Sequence, residues 1–211
     1  MTSIHHSQHK KYLSLLLQGD FHTVLSAVSI KGWLIQFVTE EHKNNDQIVV
    51  AALQSCGWSI RYLSDRYKND PKYAFLAVKS KGAAYKYLSD DLKKDKEIIA
   101  TALRNNGTII RRLPLEFRCN REMALLAVQS DACAIHYISK ELQCDHEIAQ
   151  IAILQDHTLF KHIQSSIKHD KELVLKLFTI NTKIIELVSC VYFDNIPEIE
   201  SYYQKIEKAI D

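Results

Sequence analysis

Arginine crowds one stretch of the chain, at Arg104, Arg111, Arg112, Arg118 and Arg121. A guanidinium is a planar fork of donors, so such a cluster suits recognition of carboxylates or phosphates. The plainer reading is a solvated face paired with Glu97, Glu116 and Glu122, and it takes precedence because most charge runs are solvated. Three dipeptides sharpen the pattern: Lys86-Tyr87, Arg111-Arg112 and His136-Tyr137 follow one another at intervals of 25 residues. Upstream, Gln36-Phe37 and Arg61-Tyr62 keep the same interval. Tyr and Arg dominate the energetics of protein interfaces, so Lys86, Tyr87, Arg111, Arg112, His136 and Tyr137 are expected to form a partner-binding surface. Boundary packing between neighbouring helices accounts equally well for the tyrosines.

A second, mostly basic series, Lys43, Lys68, Lys93, Arg118, Gln143 and Lys168, could track a phosphate backbone. Glu40, Glu41, Asp65, Asp90, Asp91, Glu116 and Glu141 lie beside it, and the net charge is only +2. A nucleic-acid or acidic-lipid partner is therefore the second reading and a protein partner the first. Cys133 and His136 stand one turn apart, but no third group completes a catalytic arrangement. No phosphate loop, nucleophile motif or metal-ligand spacing occurs, so no enzyme, cofactor or metal is expected; an enzyme with an unrecognised site is the third reading. His5, His6 and His9 fall in what reads as a flexible tail. The five cysteines are odd in number and lack a CxxC pair, which suits reduced thiols in a cytoplasmic setting. No apolar run approaches the ~20 residues of a membrane span, and the N-terminus lacks the pattern of a Sec signal peptide.

The elements that must position these residues are set by the same interval. Gly32, Gly57, Gly82 and Gly107 recur every 25 residues. Twelve residues before each, and at the three corresponding later places, stand Asp20, Asn45, Asp70, Asp95, Asn120, Asp145 and Asp170. Counting that acid or amide as position 1, it reads as a helix N-cap. Positions 4, 5, 8 and 9 form an apolar stripe at helical period, with Ala at position 8 from Ala27 to Ala152. The glycine at position 13 reads as a left-handed residue ending this first helix. A second helix is expected over positions 14 to 20, with 16 and 19 facing inward and the dipeptides at 17 and 18. Ser or Thr at position 20, as in Thr39, Ser64, Ser89 and Ser139, reads as the cap of a further short turn anchored by a large apolar residue at position 23. Trp33 and Trp58 share position 14 and are expected to pack in a core or groove, stacked across adjacent repeats. The small residue at position 8 is expected to let the two helices of one repeat approach closely. Helix pairs this short cannot bury their stripes alone, so they must stack.

The fold expected is thus all-α: an α-solenoid of seven two-helix repeats starting at 20, 45, 70, 95, 120, 145 and 170. A flexible tail at 1–9 precedes a repeat domain at 10–194, whose first residues, 10–19, form a closing half repeat. A capping helix at 195–211 carries Ile199, Tyr202, Tyr203, Ile206 and Ile210 on one face. The chain is expected to be a monomer.

Asp95-Lys96-Glu97-Ile98-Ile99 with Ala102, Leu103 and Gly107, and Tyr87-Leu88-Ser89-Asp90-Asp91-Leu92 before it, carry a resemblance. They resemble an uncharacterised tandem-repeat family, a domain of unknown function of about 50 residues, or two of these repeats. Its consensus runs D-R-E-V-V-L-A-A-V-x-x-N-G, then A-L-x-Y-A-S-E-E-L. The likeness extends from about residue 45 to 170 and weakens where His157 and Thr182 replace the glycine. The family occurs in protists and in intracellular bacteria that infect amoebae, where some members are suspected effectors translocated by type IV secretion. The resemblance implies a helical repeat fold and no catalytic residues. It leaves the activity open, and the reading expected from the sequence as a whole is an adaptor or effector-type, non-enzymatic protein-interaction module, cytoplasmic in the producing cell or delivered into a host cell.

Overall fold

The computed structural model describes residues 19–161 and, beyond them, Leu177. Every regular element among the described residues is helical. Six α-helices, Phe21–Ile30, Asp46–Ser55, Pro71–Ser80, Lys96–Asn105, Arg121–Ser130 and His146–Gln155, recur at the 25-residue interval. Each is followed by a 3-10 helix, from Gly32–Phe37 to His157–Lys161. A short helical turn then leads to the next repeat, as in Glu40–Lys43, Asp65–Lys68 and Leu115–Arg118.

The starts of the long helices follow from position 1. Asp20, Asn45, Asp70, Asp95, Asn120 and Asp145 are all in extended backbone, and each side-chain oxygen accepts from an amide of the first turn. Those amides have no partner within the helix, which is why a short acceptor is needed there. Thr39, Ser89 and Ser139 cap the short turns in the same way, and Pro114 begins one; Ser64 makes no such bond. Positions 5 and 9 bury Val24, Val28, Val49, Leu53, Ile99 and Leu103 completely. Each such side chain contributes roughly 1.5–3 kcal/mol by leaving water. Tyr67, at position 23, is fully buried and its hydroxyl donates to Asp46 at 3.0 Å.

Two expectations are corrected. The segment expected as an α-helix over positions 14 to 20 is a 3-10 helix over positions 13 to 18. Its bonds run from position 15 back to position 12 and from 19 back to 16, as in Ser59 N–H to Cys56 at 2.9 Å and Leu63 N–H to Ile60 at 3.2 Å. With three residues per turn, positions 13, 16 and 19 eclipse one another and all face inward. Ile60 and Leu63 are buried accordingly, and so is Ser59 at position 15.

The glycines are not left-handed, for no described residue has a positive φ. Their function is steric. A Cβ on Gly57 would lie 2.0 Å from the carbonyl oxygen of Ala77, and one on Gly32 would lie 2.1 Å from that of Ala52. The small residues at positions 8 and 13 therefore serve the approach of one repeat to the next, where a close approach within one repeat was expected. The same approach lets the glycine N–H donate to position 11 of the following repeat. Gly32 donates to Ser55 Oγ and Gly57 to Ser80 Oγ at 3.1 Å, and Gly82 to Asn105 Oδ1 at 2.7 Å. Ser80 and Asn105 in turn donate to the backbone carbonyls of Gln54 and Lys79. Gln155 reaches Val128 and Gln129 likewise.

The chain divides into two compact units, Met1–Ile109 and Ile110–Asp211. Within the first, the long helices pack on one another in chain order; within the second, Arg121–Ser130 packs on His146–Gln155. Leu177, at position 8 of the repeat beginning at 170, is helical and buried. The rest of that repeat, the tail at 1–9, the half repeat up to residue 18 and the capping helix at 195–211 lie outside the described residues.

Candidate binding surface

The 3-10 helix decides which side chains point outward. Positions 14 and 17 share its outer face, since 13, 16 and 19 are turned inward. Arg61, Lys86, Arg111 and His136, all at position 17, are exposed. The tyrosines at position 18, Tyr62, Tyr87 and Tyr137, are half-buried, so each serves both boundary packing and the surface. Arg112 breaks the tyrosine row and is exposed. Of the residues the sequence singled out, Lys86 and Tyr87 belong to the first compact unit, while Arg111, Arg112, His136 and Tyr137 belong to the second.

The two basic series differ in their counter-charges. The three lysines of the first three repeats at position 24 are neutralised within their own repeats: Lys43 pairs with Glu40 at 2.7 Å, Lys68 with Asp65 at 3.4 Å and Lys93 with Asp90 at 3.1 Å. Among the described residues, Arg61, Lys86, Arg111 and Arg112 make no ion pair. Arg61 instead stacks over the Tyr62 ring at 4.9 Å and the Tyr87 ring at 5.5 Å, and Lys86 over Tyr87 at 4.7 Å. Stacking occupies the face of a guanidinium and leaves the in-plane N–H groups free for a carboxylate.

Arg104, Arg111, Arg112 and Arg121 are exposed, as a solvated face requires, but the pairing expected with Glu97, Glu116 and Glu122 is not made among the described residues. Arg121 pairs with Asp145 at 2.8 Å and also with Glu147, rather than with Glu97, Glu116 or Glu122. Those bonds hold the Asp145 carboxyl below its ordinary range, the Arg121 hydrogen bond first among the causes. Arg118 Nε is buried without a partner.

Sequence reasoning missed three groups of residues. Trp33 and Trp58 are 40% and 47% exposed, not packed in a core, and the ring that Trp33 meets is Phe37, edge-on at 6.1 Å. Leu115 is 61% exposed, three residues after Arg112, at a position where Glu40, Asp65 and Asp90 stand in other repeats. The stitch at position 11 was legible as a recurrent hydrogen-bonding residue at Ser55, Ser80, Asn105, Ser130 and Gln155, which nothing in the apolar pattern requires.

The Cys133 thiol is pushed up, by desolvation first and then by Asp131 and Asp156. An activated nucleophile needs the opposite shift. Asp131 and Asp156 themselves accept from the amides of Cys133 and Thr158 at 3.0 Å, which begin the 3-10 helices. Among the described residues no helix is long and apolar enough to cross a membrane, and no group of three His, Cys, Asp or Glu is placed to hold a metal.

Among the described residues these features define tandem 25-residue helical repeats whose 3-10 segments carry exposed cations next to half-buried tyrosines. Residues 20–68, 70–118 and 120–168 match the family described as Domain of unknown function (DUF4116), and the chain belongs to it. The matches begin on Asp20, Asp70 and Asn120, so each family domain holds two of the repeats and the likeness includes the repeat at 20, upstream of where the sequence reading began it. No curated protein and no solved structure matches the chain.

Proposed function

We propose that this chain is a non-enzymatic protein-interaction module, a short monomeric α-solenoid of seven repeats that binds its partner along positions 17 and 18. The observation that carries this is the asymmetry of counter-charge: Lys43, Lys68 and Lys93 at position 24 are neutralised by their own repeats, and Arg61, Lys86 and Arg111 at position 17 make no ion pair among the described residues. Unpaired cations beside tyrosine rings supply both contact area and directional donors to a partner. Its residues are Lys86 and Tyr87 in the first unit and Arg111, Arg112, His136 and Tyr137 in the second, with exposed Leu115 three residues after Arg112 as a further apolar candidate. The same proposal makes the chain an adaptor in the cytoplasm of the producing cell, or an effector acting in a host cell after type IV translocation.

Arg111→Glu combined with Arg112→Glu tests it. Both side chains are exposed and unpaired, so the variant is expected to keep its helicity and melting temperature. It should lose the proteins that the wild-type chain retains from host lysate after nuclease treatment. Undiminished retention of the same proteins would place the binding surface elsewhere, and material lost on nuclease treatment would replace the protein partner with a nucleic acid.

A further inference from the structure

Two like charges meet at one ring in the first compact unit: Arg61 and Lys86 both contact Tyr87, at 5.5 and 4.7 Å. No acid lies within ion-pair distance of either among the described residues. Mutual repulsion is thus left uncompensated at this point, and an anion placed between the two would relieve it. Half-buried Tyr62 lies under the Arg61 guanidinium at 4.9 Å, and Arg61 itself is exposed. Trp58 stands one 3-10 turn before Arg61 and is 47% exposed, so a large apolar surface adjoins the cations on the same helix face. Trp33 occupies the equivalent place one repeat earlier, also exposed.

We propose that Trp58, Arg61, Tyr62, Lys86 and Tyr87, with Trp33 beside them, form a docking site for a short acidic peptide segment carrying an apolar side chain next to its carboxylates. This rests on the protein-binding reading above and names the partner chemistry for the first three repeats. One carboxylate takes the in-plane fork of Arg61, another the Lys86 ammonium, and the apolar side chain covers the Trp58 indole. Charge complementarity selects a peptide over a polyphosphate. Arg61 and Lys86 are the two unpaired cations at this ring, while Lys68 and Lys93 in the same two repeats are already paired with Asp65 and Asp90, so a long, uniformly charged strand would find few further free cations. A peptide with two carboxylates needs only the two cations.

The chain has two tryptophans, Trp33 and Trp58, and both stand on this face, so intrinsic fluorescence reports on it directly. The probes are a synthetic peptide of Asp and Glu around a central Leu, its Asn and Gln counterpart, and oligothymidylate, each titrated into the full chain. The acidic peptide should shift the tryptophan emission to the blue, with an affinity that falls as salt rises, and the amide peptide should not. Arg61→Gln with Lys86→Gln should weaken binding by roughly tenfold or more, the loss expected for charge-assisted contacts. Tyr87→Phe should retain affinity, because it keeps the ring face that orders both cations. No binding of the acidic peptide, or equal binding of the amide peptide, would overturn the assignment while leaving the wider protein-binding reading to the Arg111 and Arg112 variant. Binding without a fluorescence change and unaffected by the double substitution would also overturn it, by placing the peptide on another face. Tighter binding of oligothymidylate would overturn both.

Discussion

Replacing Gly57 by Ala separates a steric role for the glycine from a conformational one. By intrinsic preference alone, Gly→Ala in a helical segment stabilises by roughly 0.5–1 kcal/mol. Here the added Cβ would stand 2.0 Å from the Ala77 carbonyl oxygen and 2.9 Å from the Lys81 nitrogen, both backbone atoms of the next repeat. Neither can rotate aside, and the Ala77 carbonyl is already held by the Lys81 N–H at 2.8 Å. Restoring ordinary contact needs the two repeats to part by more than an ångström. That separation would break the bond from Gly57 N–H to Ser80 Oγ and strain the one from Ser80 to Gln54. Overpacking costs roughly 1–3 kcal/mol and the lost hydrogen bond about 1 kcal/mol, giving a destabilisation of roughly 2–4 kcal/mol. Thermal denaturation followed by circular dichroism should show the transition lowered by on the order of 10 °C. Gly57→Asn provides the control. A left-handed position accepts Asn better than Ala, whereas a crowded one rejects Asn at least as strongly. Stability within about 0.5 kcal/mol of wild type for Gly57→Ala, or a clear advantage for Asn over Ala, would refute the steric account.

Three further outcomes follow from the same geometry. Asp95→Ala removes the acceptor for the Glu97 and Ile98 amides and should cost about 1 kcal/mol, read by chemical denaturation. Ser59→Ala should be neutral or slightly stabilising, because the buried Ser59 hydroxyl has no hydrogen-bond partner; a clear loss of stability would show that it has one. The Asp145 carboxyl is held below its ordinary value chiefly by Arg121, so its stabilisation is present above the unfolded-state pKa and lost as pH falls through the folded one. Acid titration of Arg121→Ala should therefore show a shallower loss of stability at low pH than wild type, and an unchanged slope would contradict the assignment.

The repeat, its N-caps and its buried stripe were legible because each depends on residue types that recur in the linear sequence. Asp or Asn at position 1 and the apolar residues at positions 5 and 9 needed only helical periodicity. The second element was misassigned as an α-helix although its inward positions, 13, 16 and 19, are three apart, which is the 3-10 period. The glycines were read through their conformational freedom because the atom that excludes a side chain, the Ala77 carbonyl oxygen for Gly57, lies in the next repeat. Sequence types could not distinguish the two basic series either. Lys68 and Arg61 look alike until the Asp65 carboxylate is seen beside one and the Tyr62 and Tyr87 rings beside the other. Trp58, which shares position 14 with Trp33, was assigned to core or groove packing, whereas the turn of the 3-10 helix carries it outward.

Site-specific photo-crosslinking tests the central claim, that the outer face of the 3-10 segments is a protein-binding surface, most directly. A photoreactive residue is placed in separate full-length chains at Thr108 or Cys133, at position 14 of that face, and at Lys79 or Gln129, exposed on the long helices. Illumination in nuclease-treated host lysate should give a discrete protein adduct from the first pair and none from the second. Equal adducts from both pairs, or adducts from the long helices alone, would contradict the account.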